Sequence, residues 1–284
     1  MPADSQMVQR IDYVTRWRAL VRAREDQGKR LDRLHGRADA WEGDRARRFR
    51  RIVTRGGAPD PLFELVRSFV DSRTTVLDVG AGPGRHTLPL ARQAAHVTAV
   101  EPSPAMRAQL VEQLHDQALT NVTVISEGWP SAAVDPADVV ICSHVAYWTA
   151  EIEPFVRRLI AVAKRRGFIV LRHTQRETAI LDLFEEIWGE PRCLEPAFSD
   201  LFGVACQLGL WANVATVSFP TPPSFNSFED AVTAVQADLL NPEGQRVERT
   251  IRDYLALKMV EQDGKWMFKL PATAAGVLWW EGQR

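Results

Sequence analysis

The stretch from Val76 to Glu101 constrains this chain most. It reads Val76-Leu77-Asp78-Val79-Gly80-Ala81-Gly82-Pro83-Gly84, then a helix-like run, then Val97-Thr98-Ala99-Val100-Glu101. An apolar strand rich in β-branched residues enters a glycine-rich turn, and a second strand ends on a carboxylate. Glycines let the backbone turn sharply and approach a ligand with no Cβ in the way. Glu101 follows Gly84 by 17 residues, where a second parallel strand brings an acid near a ribose. The pair predicts an adenosine-containing ligand.

The spacing of the glycines narrows the choice. A dinucleotide fingerprint needs G-x-G-x-x-G, but the residue at the third glycine position is Arg85. A Walker-type phosphate loop needs Gly-Lys-Ser/Thr after its glycines, and that is absent. Asp78 lies just before the turn, where a carboxylate repels a pyrophosphate but can orient a cationic amino-acid group through water.

The order acid-x-Gly-x-Gly-x-Gly resembles motif I of the class I S-adenosylmethionine (SAM) methyltransferases, from about Thr74 to Thr174 and more loosely to Phe219. The resemblance implies an α/β Rossmann-like class I methyltransferase fold, a mostly parallel seven-stranded sheet with helices on both faces, here with an added helical cap. It implies SAM as cofactor and S-adenosylhomocysteine (SAH) as product. The turn Asp78, Gly80, Ala81, Gly82 and Gly84 would lie against the amino-acid and sulfonium end, and Glu101 would accept hydrogen bonds from both ribose hydroxyls. Pro102 and Met106 follow, with Met106 one turn into a helix where the family often packs a side chain on adenine. After the third strand, Glu127, Gly128 and Trp129 occupy the loop that reads the adenine edge and face in the family. Ser143 ends the fourth strand beside the cofactor.

The periodicity agrees with this fold. Alternating strands and helices are expected at 76–80, 85–95, 97–101, 103–117, 122–126, 138–142, 152–164 and 167–173, which implies parallel βαβ units. The runs Val139–Cys142 and Phe168–Leu171 read as strands covered on both faces. An N-terminal helix is expected over 5–35, a second over 40–54 and a third over 61–72. Beyond Thr174 come helices at 177–188 and 197–208, a strand at 212–219 and helices at 227–240 and 243–259. Strands are expected at 265–270 and 276–280, one of them the antiparallel strand that closes the family's sheet. The expected organisation is a helical arm over 1–60, a SAM-binding core over 61–219 and C-terminal helices and closing strands of the same domain over 220–284.

Strand four ends Cys142-Ser143-His144-Val145-Ala146-Tyr147-Trp148, where the family faces the methyl group and the acceptor. No Asn/Asp-Pro-Pro-Tyr/Phe motif of base amine methylation occurs, and Cys142 lacks the preceding proline of a base C5 nucleophile. The acid pattern of the magnesium-dependent catechol enzymes is absent too, so no metal is expected. A small-molecule acceptor, methylated on O, N or C by in-line displacement, is the resulting expectation. RNA, protein or no turnover at all are the competing readings. His144 is the first choice for a general base, since an unperturbed imidazole titrates near neutrality. Tyr147 and His173, at the end of strand five, are further catalytic candidates. Trp41, Trp148, Trp188 and Trp211 either line an acceptor pocket or fill a core, and the second is the commoner use of tryptophan.

Residues 1–56 carry 15 Lys and Arg against 8 Asp and Glu, while the whole chain has a net charge of −1. The basic residues alternate with acids at helical spacing, which describes a solvated face, so a nucleic-acid partner is not expected. No apolar run approaches a membrane span, and the three cysteines show no C-x-x-C pairing. A cytoplasmic monomer or homodimer is the expectation.

Overall fold

The computed structural model describes residues 11–34, 61–173, 178–219, 224–270 and 273–282. The expected helix at 40–54 lies outside them. A seven-stranded sheet runs in the order β3-β2-β1-β4-β5-β10-β6. Its strands are β1 (Thr75–Val79), β2 (His96–Val100), β3 (Val122–Ile125), β4 (Ala137–Ser143), β5 (Ala163–Arg172), β6 (Asn213–Phe219) and β10 (Thr273–Glu281). Strands β1 to β5 pair in parallel, and β10 is antiparallel to both β5 and β6. Of the two terminal segments, β10 closes the sheet.

Strand periodicity sorts the side chains into two layers. Leu77 and Val79 of β1 join the core beneath α1 (Tyr13–Leu34), α5 (Ile152–Val162) and α7 (Phe198–Gln207). Val76, between them, joins the opposite core with Leu62 and Val66 of α2 (Pro61–Arg67) and with Leu90 and Ala91 of α3 (Thr87–Ala91). Asp78 shares the parity of Val76, so it points at α3. The pattern explains why β4 and β5 read as continuous apolar runs: both their faces are covered.

Helix α1 begins at Tyr13, where its N-terminal groups find partners. Asp12 accepts the Thr15 N–H at 3.1 Å and its hydroxyl at 2.6 Å, and Gln207 Oε1 takes the Tyr13 N–H at 2.7 Å. Trp17 is fully buried and donates its indole N–H to the Thr149 carbonyl at 2.8 Å. That bond fixes α1 over the loop after β4. Truncating such a side chain typically costs ~3–5 kcal/mol.

The remaining elements build a separate small core. Here α6 (Leu181–Trp188), α8 (Phe228–Asp238) and α9 (Gln245–Lys258) pack with Leu31 from the end of α1. A three-stranded antiparallel sheet of β7 (Ser224–Phe225), β9 (Lys265–Phe268) and β8 (Met259–Gln262) completes it. The segment expected as a strand at 265–270 therefore belongs to this second sheet. Its partner β8 was not expected at all. Asp263 and Gly264 connect the two with φ of 51° and 70°, the two left-handed residues of a tight hairpin, and Asp-Gly is a sequence signal for one.

Candidate functional site

The turn after β1 is locked to the end of β2. Gly80 and Ala81 both donate their N–H groups to the Val100 carbonyl, at 2.8 and 3.1 Å, and Gly84 donates to Ala81 at 3.0 Å. The three glycines have φ of 74°, 56° and 101°, which L side chains rarely adopt. Two of them differ in what a side chain would meet. A Cβ on Gly80 would come within 2.3 Å of the Val145 side chain, whereas one on Gly82 would meet nothing within 4 Å. The turn thus packs on one side against the loop after β4 and on the other leaves backbone facing open space.

Glu101 is buried and ties this turn to the next helix. Its Oε2 accepts the Gly82 N–H and its Oε1 the Ser103 N–H, both at 2.8 Å. A carboxylate has about four acceptor positions, so each oxygen retains one. Arg107 supports the same segment, with Nη1 3.0 Å from the Glu101 carbonyl and 2.7 Å from that of Pro102. Ser103 caps α4 (Pro104–Asp116), as its place before Pro104 predicts, and Met106 is buried in the first turn. Pro102 is exposed.

Asp78 sits deeper than expected. It is fully buried, and its Oδ2 accepts the Thr87 hydroxyl at 2.6 Å. Burial pushes its pKa up to about 6; the Thr87 bond opposes the shift and the charge of Glu101 adds to it. The acid therefore braces the turn from below through Thr87. Cys142, also buried, has its thiol pKa pushed up by burial and by Asp78, which suits an inert packing residue.

The loop after β3 departs from the expectation. Glu127 is exposed and folds back to accept the Ala133 N–H at 2.8 Å. Trp129 turns inward: its indole donates to the Phe155 carbonyl at 3.0 Å, and its ring meets Phe155 edge-on. A large ring with one polar atom is well satisfied by such a place, and it removes Trp129 from a flat stack on a ligand. Gly128 is exposed with open space beside it.

At the end of β4, half-buried Ser143 precedes His144, whose φ of 59° is left-handed. Strain at a non-glycine residue of this kind is held only where surrounding bonds over-determine it. Here the His144 N–H donates to the Val170 carbonyl at 2.9 Å, and Nδ1 lies 3.1 Å from the Tyr147 hydroxyl. Tyr147 belongs to the one-turn helix Ala146–Trp148, and its hydroxyl accepts the Arg172 N–H at 2.7 Å. The Arg172 guanidinium lies 5.4 Å from the centre of the tyrosine ring. Burial, and then the charges of Arg172, Arg85 and His86, hold the His144 pKa well below its ordinary value. The expected imidazole titrating near neutrality is thus replaced by a neutral one. His144 and Tyr147 are brought together; His173 is not. It is exposed, with Nε2 3.3 Å from Thr216 Oγ1 on β6 and its ring against Phe198, across β10 and away from β4.

Val21, Arg24 and Glu25 of α1 meet Tyr147, Trp148, Glu195 and Pro196 around a narrow gap beyond the histidine. Arg24 donates to the Cys193 carbonyl at 2.7 Å. Helix α1 thus lies against the loop after β4 on this side. Trp188 fills the second core and donates to the Leu239 carbonyl, while Trp211 is 91% exposed and serves neither expected use. Trp41 lies outside the described residues. Among the described residues, no group of three His, Cys, Asp or Glu side chains is placed to hold a metal ion, and no helix is long and apolar enough to cross a membrane.

Sequence reading passed over Thr87, Arg107 and Arg172. A threonine on the buried face of the helix after the turn was a readable signal. Arg172, a cation ending an apolar strand, was another.

Residues 76–167 match a family described as a methyltransferase domain. An uncharacterized protein of Haemophilus influenzae is 29% identical over 173 residues, 60% of this chain and 63% of that protein. Protein-L-isoaspartate O-methyltransferase 1 of an Anaeromyxobacter species is 35% identical over 125 residues, 39% of this chain and 57% of the relative. The chain thus spans about three fifths of the length of these curated relatives. Magnesium protoporphyrin IX methyltransferase of Synechocystis PCC 6803, solved with SAH, superposes with a TM-score of 0.50 at 15% identity, covering 82% of this chain and 93% of that one. Residues 76–167 thus resemble a methyltransferase domain, and the sheet that contains them has the Rossmann-like fold of the class I SAM-dependent methyltransferases.

Proposed function

We propose that this protein is a SAM-dependent methyltransferase acting on a small molecule, with the glycine turn and Glu101 as the cofactor grip and the His144 loop facing the acceptor. The observation that carries the reading is the open space over Gly82 beside a buried Glu101 already bonded to the Gly82 N–H. A ribose diol placed there meets a carboxylate with one unused acceptor position on each oxygen, and charge-assisted bonds of this kind are among the stronger ones. A dinucleotide fits less well, since the turn lacks the third glycine and carries an acid immediately before it.

The cofactor supplies an electrophilic methyl on a sulfonium. The protein's part is to hold an acceptor atom on the line opposite the sulfur, and orientation alone can contribute much of the rate. Helix α1, fixed by Trp17 over the loop after β4, covers this side and excludes water. The helices α8 and α9 complete the cap in this reading, and the 61–219 core with its closing strand is the cofactor domain.

Incubation with methyl-labelled SAM and a cell extract tests the proposal. Label in the low-mass fraction is the expected result. Label in protein would favour the second reading, which the O-methyltransferase relative suggests; label in RNA would revive a role for the basic N-terminus. SAH binding with no transfer to any fraction would identify a SAM-binding protein without turnover.

A further inference from the structure

Strand β2 loses its sheet partner at Glu101. The Glu101 N–H still bonds the Ile125 carbonyl at 2.9 Å, but β3 ends at Ile125. A regular parallel ladder would add its next rung two residues on, with the Glu127 N–H donating to the Glu101 carbonyl. That rung is not formed: Glu127 has left the sheet, and its side chain folds back to Ala133. Pro102, next in the chain, brings no N–H of its own. The carbonyls of Glu101 and Pro102 thus follow one another with no strand to bond.

Arg107 takes both. From the first turn of α4 its Nη1 lies 3.0 Å from the Glu101 carbonyl oxygen and 2.7 Å from that of Pro102. Among the described residues it makes no ion pair with a carboxylate, so its charge is directed at these two oxygens. Bonds from a charged donor are the stronger kind. The Gly82 and Ser103 N–H groups already hold the two carboxylate oxygens of Glu101. The residue is therefore fixed at both ends: Arg107 sets the peptide from which the side chain springs, and the two N–H groups set its tip. The half-buried stem of Arg107 lines the groove between α4 and β3 with Ala108, Val124 and Ser126.

We propose that Arg107 is a positioning residue for the ribose. By holding the Glu101–Pro102 backbone it aims the Glu101 carboxylate, and it thereby sets how strongly the site prefers a 2′,3′-diol. This rests on the cofactor reading above. Because Arg107 acts through Glu101, its effect appears only with ligands whose ribose carries the hydroxyls.

Isothermal titration of the full chain with SAH and with its 2′,3′-dideoxy analogue tests the proposal. Wild type should favour SAH. Arg107→Met keeps an unbranched side chain in the groove and removes the donors. It should weaken SAH by about fivefold or more while leaving the dideoxy analogue within about twofold, since only the diol's bonds to a charged group are lost. Arg107→Lys should recover most of the SAH affinity, because a single nitrogen already serves both carbonyls. Equal weakening of the two ligands in Arg107→Met would mean a general loss of packing and overturns the proposal. Unchanged SAH affinity in that variant overturns it as well, as does a wild type that binds both ligands equally. If Arg107→Met does not fold, Arg107→Gln takes its place in the same pair of titrations. Failure of the wild-type protein to bind SAH at all is the separate result that defeats the cofactor reading itself.

Discussion

At the glycine turn the cleft is held by backbone: three residues with positive φ, two N–H groups on the Val100 carbonyl and two more on Glu101. At the histidine end it is held by side chains: a tyrosine hydroxyl between Arg172 and His144, a guanidinium near an aromatic ring, and a tryptophan from α1 reaching the Thr149 carbonyl. Backbone grips depend on shape and resist most substitutions except those that add a Cβ. Side-chain grips can be retuned residue by residue. In the proposed function, this division suits a common cofactor at one end and a variable acceptor at the other.

If that contrast is right, the largest effect comes from Gly80→Ala. The new Cβ meets Val145 at 2.3 Å in a left-handed backbone, so a loss of roughly 2–4 kcal/mol is expected in denaturant unfolding. Gly82→Ala sharpens the point, because its Cβ meets nothing. Only the backbone cost of about 1 kcal/mol applies to its stability, while SAH affinity should fall more steeply because the methyl group occupies ligand space. Equal melting temperatures for the two variants would break the distinction.

Glu101→Ala removes the carboxylate that joins the turn to α4. Hydrogen bonds to a charged group contribute about 1.5–3 kcal/mol, so SAH affinity should drop about tenfold to a hundredfold by calorimetry. An unchanged dissociation constant would contradict the cofactor pose.

A smaller effect concerns pH. Asp78 has a folded pKa of about 6 against an ordinary 3.8, so the native state holds the proton more tightly than the unfolded one. The stability linked to this group is complete below about pH 4 and is lost as pH rises through about 6. A shift of this size corresponds to roughly 3 kcal/mol at most. Urea unfolding of Asp78→Asn at pH 4 to 7 should show a flatter profile than wild type; parallel profiles would mean that the acid is not buried as described.

The smallest effect falls at the retunable end. Tyr147→Phe removes one hydroxyl from the network and should lower the transfer rate severalfold, leaving SAH affinity nearly unchanged. In the wild type, the rate should show no imidazole inflection between about pH 6 and 8, because His144 is held neutral. An inflection there would restore the general-base role.

The cofactor end was largely legible in the sequence because its information is local. Gly80, Gly82, Gly84 and Glu101 lie on one strand–turn–strand unit, and glycine and acid residues at those spacings carry a geometric meaning. The acceptor end was only half legible. His144 and Tyr147 share a loop, so their closeness could be read from spacing; that of Arg172, brought to them by the β4–β5 pairing, could not. His173, its neighbour, was singled out and proves to lie on the other side of its strand's end. Trp129 and Glu127 were misjudged for a related reason. Loop position predicts where the backbone passes, but whether a ring turns inward depends on a partner such as Phe155 that sequence spacing does not identify. The second sheet was missed although Asp263-Gly264 announced its hairpin.

The most direct measurement is isothermal titration of the folded wild-type protein with SAH, run beside NAD. Saturable heat with SAH and none with NAD is the predicted result. No heat with SAH would contradict the assignment of the Gly80–Gly84 turn and Glu101 as an adenosyl site.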